Sequence, residues 1–303
     1  MSRIHEALKK AEQERALSQP AGAGEPAAVV LEPSMDADRV MATPSLRAGV
    51  VAPALSEENV FARIRQTNWH PDLKTMLFFN NEEHASGMEE FRTLRSRLYQ
   101  ARERQPLSKL LIASPLPKEG KSFTTANLAQ VLVRQQGRRV LMIDADLRNP
   151  QMHELLGAEA GPGLSEYLSG ELDEFSIIQR GTMENLFLIP AGGRRDNPAE
   201  LVSNGRMRFL LNRLDPLFDW IVVDSPPAAL VSDAVLLANY CDGVILVLRS
   251  NSTPVDAARR ARKEFAERNV VGVVLNGIAP ELTPYAQYYY SAYAGGGDGQ
   301  AKN

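Results

Sequence analysis

The chain has a single cysteine among its 303 residues, no excess of positive charge and no long apolar run. Each absence removes a class of protein. Cys241 alone can form neither an internal disulfide framework nor a cysteine-based metal cluster. A transmembrane helix needs about eighteen or more consecutive apolar residues, and the sequence contains no such run. With a net charge of −3, the chain lacks the basic balance that usually marks a nucleic-acid binder, so no nucleic acid is expected as partner. The amino terminus, Met-Ser-Arg-Ile-His-Glu, has no apolar stretch behind its charges and does not read as a secretory signal. A cytoplasmic location is expected.

What is present is unevenly spread. Residues 2–18 place Ile4, Leu8 and Ala11 at helical spacing between charged residues, which predicts an amphipathic helix over 1–18. Such a helix either docks on a partner or stays weakly ordered. Residues 19–72 open with a segment rich in Pro, Ala and Gly and read as a flexible linker. Residues 73–283 form the main domain. Residues 284–303 form a tail in which Tyr285, Tyr288, Tyr289, Tyr290 and Tyr293 account for most of the eight tyrosines.

In the main domain short aliphatic runs alternate with helical stretches. Strands are expected at Lys109–Ser114, Val140–Asp144, Leu186–Pro190, Trp220–Asp224, Gly243–Leu248 and Val270–Leu275. Helices are expected at Ser122–Gln136, Arg206–Leu214 and Val255–Glu267. The strands are almost wholly apolar, as strands covered on both faces must be. The fold class is therefore α/β, a P-loop NTPase type with a mostly parallel sheet and helices on both faces. Ligands in such sheets bind at the carboxyl ends of the strands.

Ser114-Pro-Leu-Pro-Lys-Glu-Gly-Lys-Ser122 follows the first of those strands and precedes a helix. That is where a phosphate-binding loop belongs. Backbone N–H groups and the positive helix end would face an anion. Gly120 lets the backbone approach, Lys121 neutralises β- and γ-phosphate charge, and the Ser122 hydroxyl ligates Mg2+. Lys118, Glu119 and Phe123 complete the expected ATP-binding stretch. Pro115 stands where the general pattern has its first glycine.

Asp144 and Asp146 lie two apart at the end of a strand and point the same way. Two such carboxylates call for a cation. Asp224 ends another strand, in the position of an acid that holds the magnesium shell. Singly, each aspartate reads as a helix cap or turn residue; three at strand ends beside a phosphate loop read as a metal and nucleotide site. Asn276 ends the last strand. Its amide suits a purine edge, and the Asn-Gly pair equally suits a turn.

The motifs SPLPKEGKSFTTANLA, VLMIDADLRNP, IPAGGRRDNPAELV and WIVVDSPP, closing on a tyrosine cluster, resemble the bacterial tyrosine kinases of capsule and exopolysaccharide synthesis over about residues 73–293. The single motifs are shared with MinD/ParA-type ATPases; the combination with the tail is more specific. The resemblance implies an autokinase using ATP and Mg2+, with no relation to eukaryotic kinases, and the chain has neither His-Arg-Asp nor Asp-Phe-Gly. It makes Lys121 and Ser122 the phosphate-loop lysine and the Mg2+-ligating hydroxyl. It makes Asp144 the base for the tyrosine hydroxyl, places Asp146 and Asp224 at the metal, and makes the five tail tyrosines the phosphoacceptors. Arg148 follows in the same motif with its role open.

The family's Glu-x-x-Arg-x-x-Arg motif, which builds a ring of subunits, reads here Glu89, Arg92 and Arg95. Alone, these residues fit an ordinary i,i+3 ion pair; in this context they are expected at the interface of a ring-like homo-oligomer. Lys118 replaces a small residue of the family loop. It is strained if the loop needs positive φ, or it adds charge near the phosphates. Many relatives are fused to a membrane-spanning chain-length regulator. Here a separate membrane-embedded activator is expected, holding a cytoplasmic protein at the inner membrane. The rival readings are a MinD/ParA-type ATPase switch without kinase activity and a non-catalytic scaffold. Leu116, where the switch proteins carry a signature lysine, weighs against the first. The intact Lys121, Ser122, Asp144, Asp146 and Asp224 set weighs against the second.

Overall fold

The computed structural model describes residues 61–79 and 87–279. All of them belong to the second of two compact units, Pro53–Asn303. The expected amino-terminal helix and the tyrosine tail lie outside the described residues.

An eight-stranded sheet organises the domain. Its strands are β1 (Arg65–Gln66), β2 (Lys109–Ala113), β3 (Val140–Asp144), β4 (Gln179–Arg180), β5 (Leu186–Ile189), β6 (Trp220–Asp224), β7 (Gly243–Arg249) and β8 (Val270–Asn276). They lie in the order β1-β4-β5-β3-β6-β2-β7-β8. Only the β4–β5 pair is antiparallel. From β2 the chain crosses to β3 on one side, and from β6 it crosses back over β2 to β7 on the other. The crevice at the carboxyl ends of β2, β3 and β6 lies at this reversal, where open α/β sheets bind ligands.

The helices are α1 (Met88–Arg104), α2 (Lys121–Val133), α3 (Met152–Leu156), α4 (Leu164–Leu168), α5 (Pro198–Ser203), α6 (Arg206–Leu214), α7 (Asp233–Ala238) and α8 (Val255–Glu264). Side chains alternate across a strand, so the central strands feed two cores. Leu111, Leu141, Ile143, Ile221 and Val223 pack with Leu210, Leu214, Leu237 and Phe265. Leu110, Ile112, Met142 and Val222 pack with Phe91, Leu98, Leu128 and Leu132 on the opposite face.

Helix α2 is buried nearly all round, polar residues included. Two of those polar residues tie down the preceding chain. Asn127 accepts the Leu77 N–H at 2.9 Å and donates to the Thr75 carbonyl at 2.9 Å. Gln130 accepts the Phe78 N–H at 3.1 Å. The buried amides satisfy backbone groups that would otherwise be stranded away from water.

The flexible linker expected over 19–72 ends earlier than the sequence suggests. Residues 61–72 belong to the folded body. Strand β1 pairs with β4, the Thr67 N–H donates to the Arg180 carbonyl at 3.0 Å, and Ile64 and Trp69 are buried. Gly181 makes room for the indole: a Cβ there would lie 2.3 Å from Trp69 Cδ2. Two strand residues and two isolated apolar anchors are too few to produce a periodic pattern. The strands expected to end at Leu248 and Leu275 each run one residue further, to Arg249 and Asn276.

Trp69→Ala should therefore cost about 3–5 kcal/mol of unfolding free energy, as for a buried aromatic. Urea denaturation of the full chain measures this. A linker residue would leave the value within about 0.5 kcal/mol.

Candidate active site

The loop between β2 and α2 has a fixed, unusual shape. Pro115 and Pro117 have no N–H to give. The Ser114 hydroxyl donates to the Leu116 carbonyl at 2.9 Å. Lys118 sits at φ 63° and Gly120 at φ 90°, both left-handed. Of the two expectations for Lys118, the backbone shows the strained one. Glycine suits position 120 by conformation, and a Cβ there would also displace the Asn276 amide, lying 1.8 Å from its Nδ2. Helix α2 starts at Lys121 with no side-chain cap. Among the described residues no acceptor takes the N–H groups of Lys118, Glu119 and Gly120. Successive free N–H groups at a helix start make an anion cradle.

Three acids face this cradle. Asp144 and Asp224 are direct neighbours in the β3–β6 register, and both are fully buried. Asp146 is 6% exposed. The Lys121 ammonium lies among them, 2.8 Å from Asp224 Oδ1 and 3.9 Å from Asp146 Oδ2. The Ser122 hydroxyl donates to Asp224 Oδ2 at 2.6 Å. Asp144 Oδ2 accepts the Gln151 and Met152 N–H groups at 3.1 and 3.0 Å, and its Oδ1 accepts that of Asp146 at 3.2 Å. Burial first, and the Asp224 charge second, push the Asp144 carboxyl up to about 8. Asp146 is also raised, chiefly by burial, with Lys121 opposing.

The structure thus brings Lys121, Ser122, Asp144, Asp146 and Asp224 together. Other expected residues have further partners. The Glu119 carboxylate accepts the Leu116 N–H at 2.9 Å and the Thr253 hydroxyl, and takes none of the three cradle N–H groups. The Phe123 ring packs 5.9 Å from that of Phe91 on α1. Asn276 Nδ2 donates to the Glu119 carbonyl at 3.0 Å, beside the loop. Glu89 and Arg92 pair with each other on the surface of α1, whereas Arg95 donates to the Val131 carbonyl at the end of α2, 3.1 Å away. The five tail tyrosines lie outside the described residues. Arg148, whose role was open, forms a two-pronged pair with Asp233 at 2.9 and 3.4 Å.

Thr125 is a site residue that the sequence reading missed. Its hydroxyl reaches Asp224 Oδ1 at 3.3 Å and the Lys121 carbonyl at 3.1 Å. Its spacing four residues after Lys121 on a helix was the available signal.

The donor set suits magnesium. No group of three or more His, Cys, Asp or Glu side chains forms a closed metal cage among the described residues. Magnesium does not ask for one, since it takes one or two carboxylates and completes its shell with water and phosphate oxygens. The Ser122 hydroxyl and the Asp224 and Asp146 carboxylates offer oxygen alone, beside the anion cradle.

Comparison with known proteins points the same way. Residues 110–288 match the CobQ/CobB/MinD/ParA nucleotide binding domain. The chain is 34% identical over 204 residues to tyrosine-protein kinase YwqD of Bacillus subtilis, covering 67% of this chain and 85% of that protein. It is 32% identical over 272 residues to tyrosine-protein kinase etk of Escherichia coli K12, covering 82% of this chain but 37% of that longer protein. The solved kinase domain of Escherichia coli tyrosine kinase ETK superposes with a TM-score of 0.64 at 31% identity, over 70% of this chain and 82% of that one.

The raised Asp144 carboxyl carries a sign for stability. Its folded value, about 8, lies above its ordinary 3.8. The folded chain therefore keeps a proton in that window that the unfolded chain loses. The contribution is complete below about pH 4 and is lost as pH rises toward about 8. The Tm of the metal- and nucleotide-free chain should fall from about pH 5.5 to 8, and Asp144→Ala should flatten that slope whatever it does to the absolute Tm. An equal slope in both proteins contradicts the assignment.

Proposed function

This chain belongs to the bacterial tyrosine-protein kinases built on a CobQ/CobB/MinD/ParA nucleotide-binding domain, and on that premise we propose that it phosphorylates its own carboxyl-terminal tyrosine cluster, in trans, at the Lys121 site. The observation that carries this reading is the Lys121 ammonium held among the Asp224 and Asp146 carboxylates, directly at the phosphate loop.

Phosphoryl transfer needs positioning and cancellation of charge more than covalent help. The loop N–H groups orient the β- and γ-phosphates. Lys121 exchanges Asp224 for phosphate oxygens. Ser122, Asp146 and Asp224 would hold magnesium, which would cancel phosphate charge. Asp144, once ionised, takes the phenolic proton. The metal- and nucleotide-free site holds a proton there up to about pH 8, and its release would be favoured by a bound cation. The raised proton affinity narrows the gap to a tyrosine of ordinary pKa about 10.

Glu89 and Arg92 are exposed or half-exposed on α1 and are assigned to the ring contact, with Arg95 fixing α1 to α2. In a ring, each tail from residue 284 reaches a neighbour's site. Each phosphate adds roughly −1.5 to −2 charge, so several on one tail repel one another and the acidic site, expelling the tail and loosening the ring. The proposed setting is control of capsule or exopolysaccharide synthesis or export, with a separate membrane-embedded activator holding the protein at the inner membrane.

Purified chain with labelled ATP and Mg2+ should label tail tyrosines. Lys121→Met should abolish the label. Replacing Tyr289 alone by Phe should change it little, and replacing all five should remove it while ATP binding persists. Hydrolysis of ATP with no label on protein contradicts the kinase reading and favours an ATPase switch.

A further inference from the structure

The phosphate loop is built to be unstable on its own. Lys118 holds a left-handed conformation that side-chain-bearing residues rarely adopt. Two prolines flank Leu116 and remove N–H groups that could have braced the turn. A carboxylate, Glu119, sits within a loop shaped for an anion and is only 3% exposed.

Contacts from the ends of β7 and β8 hold this loop. Arg249 Nη1 donates to the Lys118 carbonyl at 3.1 Å. The Arg249 N–H donates to the Thr253 hydroxyl oxygen at 2.7 Å, and that hydroxyl donates to Glu119 Oε1. Glu119 Oε2 accepts the Leu116 N–H at 2.9 Å. Asn276 donates from its amide to the Glu119 carbonyl, and its own carbonyl accepts the Ser250 N–H at 2.8 Å. The Glu119 carboxylate is thereby held by Leu116 and Thr253 rather than by the cradle N–H groups.

We propose that Arg249 and Thr253 are positioning residues for nucleotide binding: a brace from the β7–α8 loop that holds Lys118 left-handed and draws the Glu119 carboxylate off the phosphate site. This rests on the nucleotide-site reading above. Neither residue touches the reacting atoms, so loosening the brace weakens nucleotide binding and leaves the transfer step intact once ATP is bound. Thr253 needs its hydroxyl both to accept from Arg249 and to donate to Glu119, so serine serves and valine does not.

The test titrates Mg-ADP into the full chain by calorimetry and measures KM for ATP and kcat for tyrosine labelling. Thr253→Val should weaken Mg-ADP binding and raise KM about tenfold, a 1.4 kcal/mol change on the scale of one hydrogen bond to a charged group, with kcat within about twofold. Thr253→Ser should stay within about twofold of the parent in all three. Arg249→Ala, a surface change, should move binding and KM in the same direction, and it decides the matter if the valine variant does not fold. Placing Lys118→Gly in the Arg249→Ala variant should recover most of that variant's loss, because Arg249 holds the Lys118 carbonyl and glycine needs no brace to hold φ 63°. Unchanged binding in both Thr253→Val and Arg249→Ala overturns the proposal. So does a serine variant as impaired as valine, or a loss confined to kcat. A parent chain that binds no Mg-ADP removes the nucleotide site and the brace with it. A parent that binds but does not label leaves the titration to decide the brace, while the kinase reading fails.

Discussion

Three carboxylates are buried side by side at the ends of β3 and β6, and one lysine is the cation at their centre. Taking a charge out of water costs several kcal/mol unless it is paired, so this arrangement constrains everything around it. Lys121 must stand at the first residue of α2 to reach Asp224. The helix must then begin directly at the end of β2's loop, with Gly120 in a left-handed conformation that side-chain-bearing residues rarely adopt. Helix α2 must lie deep against the sheet, which puts Asn127 and Gln130 in the interior and calls for residues 75–78 to satisfy them. A local electrostatic requirement thus propagates into the packing of the domain.

The same pairing explains how the resting site is stable and yet ready. Asp224 receives hydrogen bonds from Lys121, Ser122 and Thr125. Those from Lys121 and Ser122 are the bonds that phosphates and a divalent cation would exchange, charge for charge. Asp144 is anchored differently. Its Oδ2 is held by backbone N–H groups at the start of α3 and its Oδ1 by the Asp146 N–H.

Much of this was legible in the sequence, for a physical reason. Strands buried on both faces must be apolar throughout, so β2, β3 and β6 announce themselves, and charged residues at their ends stand out. Asp144 and Asp224 stand out that way, and Lys121 through the Gly-Lys-Ser between a strand and a helix. What escaped had no period to detect. Strands β1 and β4 are two residues each, and the burial of Trp69 depends on Gly181, far along the chain. Arg249 and Thr253 sit in a polar turn that looks like any other, and only the fold reveals that they face Lys118 and Glu119. Position in the motif assigned Glu119 to the nucleotide, and only the fold reveals that Leu116 and Thr253 hold its carboxylate. Glu89, Arg92 and Arg95 read as one interface motif, and only the fold reveals that Arg95 donates to the Val131 carbonyl at the end of α2.

The exchange of partners by Lys121 is the claim on which the account turns, and a crystal structure with Mg2+ and a non-hydrolysable ATP analogue tests it directly. Lys121 Nζ should lie in hydrogen-bond contact with the β- and γ-phosphate oxygens, with Ser122 and Asp224 turned to the metal and its waters and Asp144 still on the α3 N–H groups. Nucleotide bound with Lys121 still 2.8 Å from Asp224, or bound away from the 118–122 loop, would contradict it.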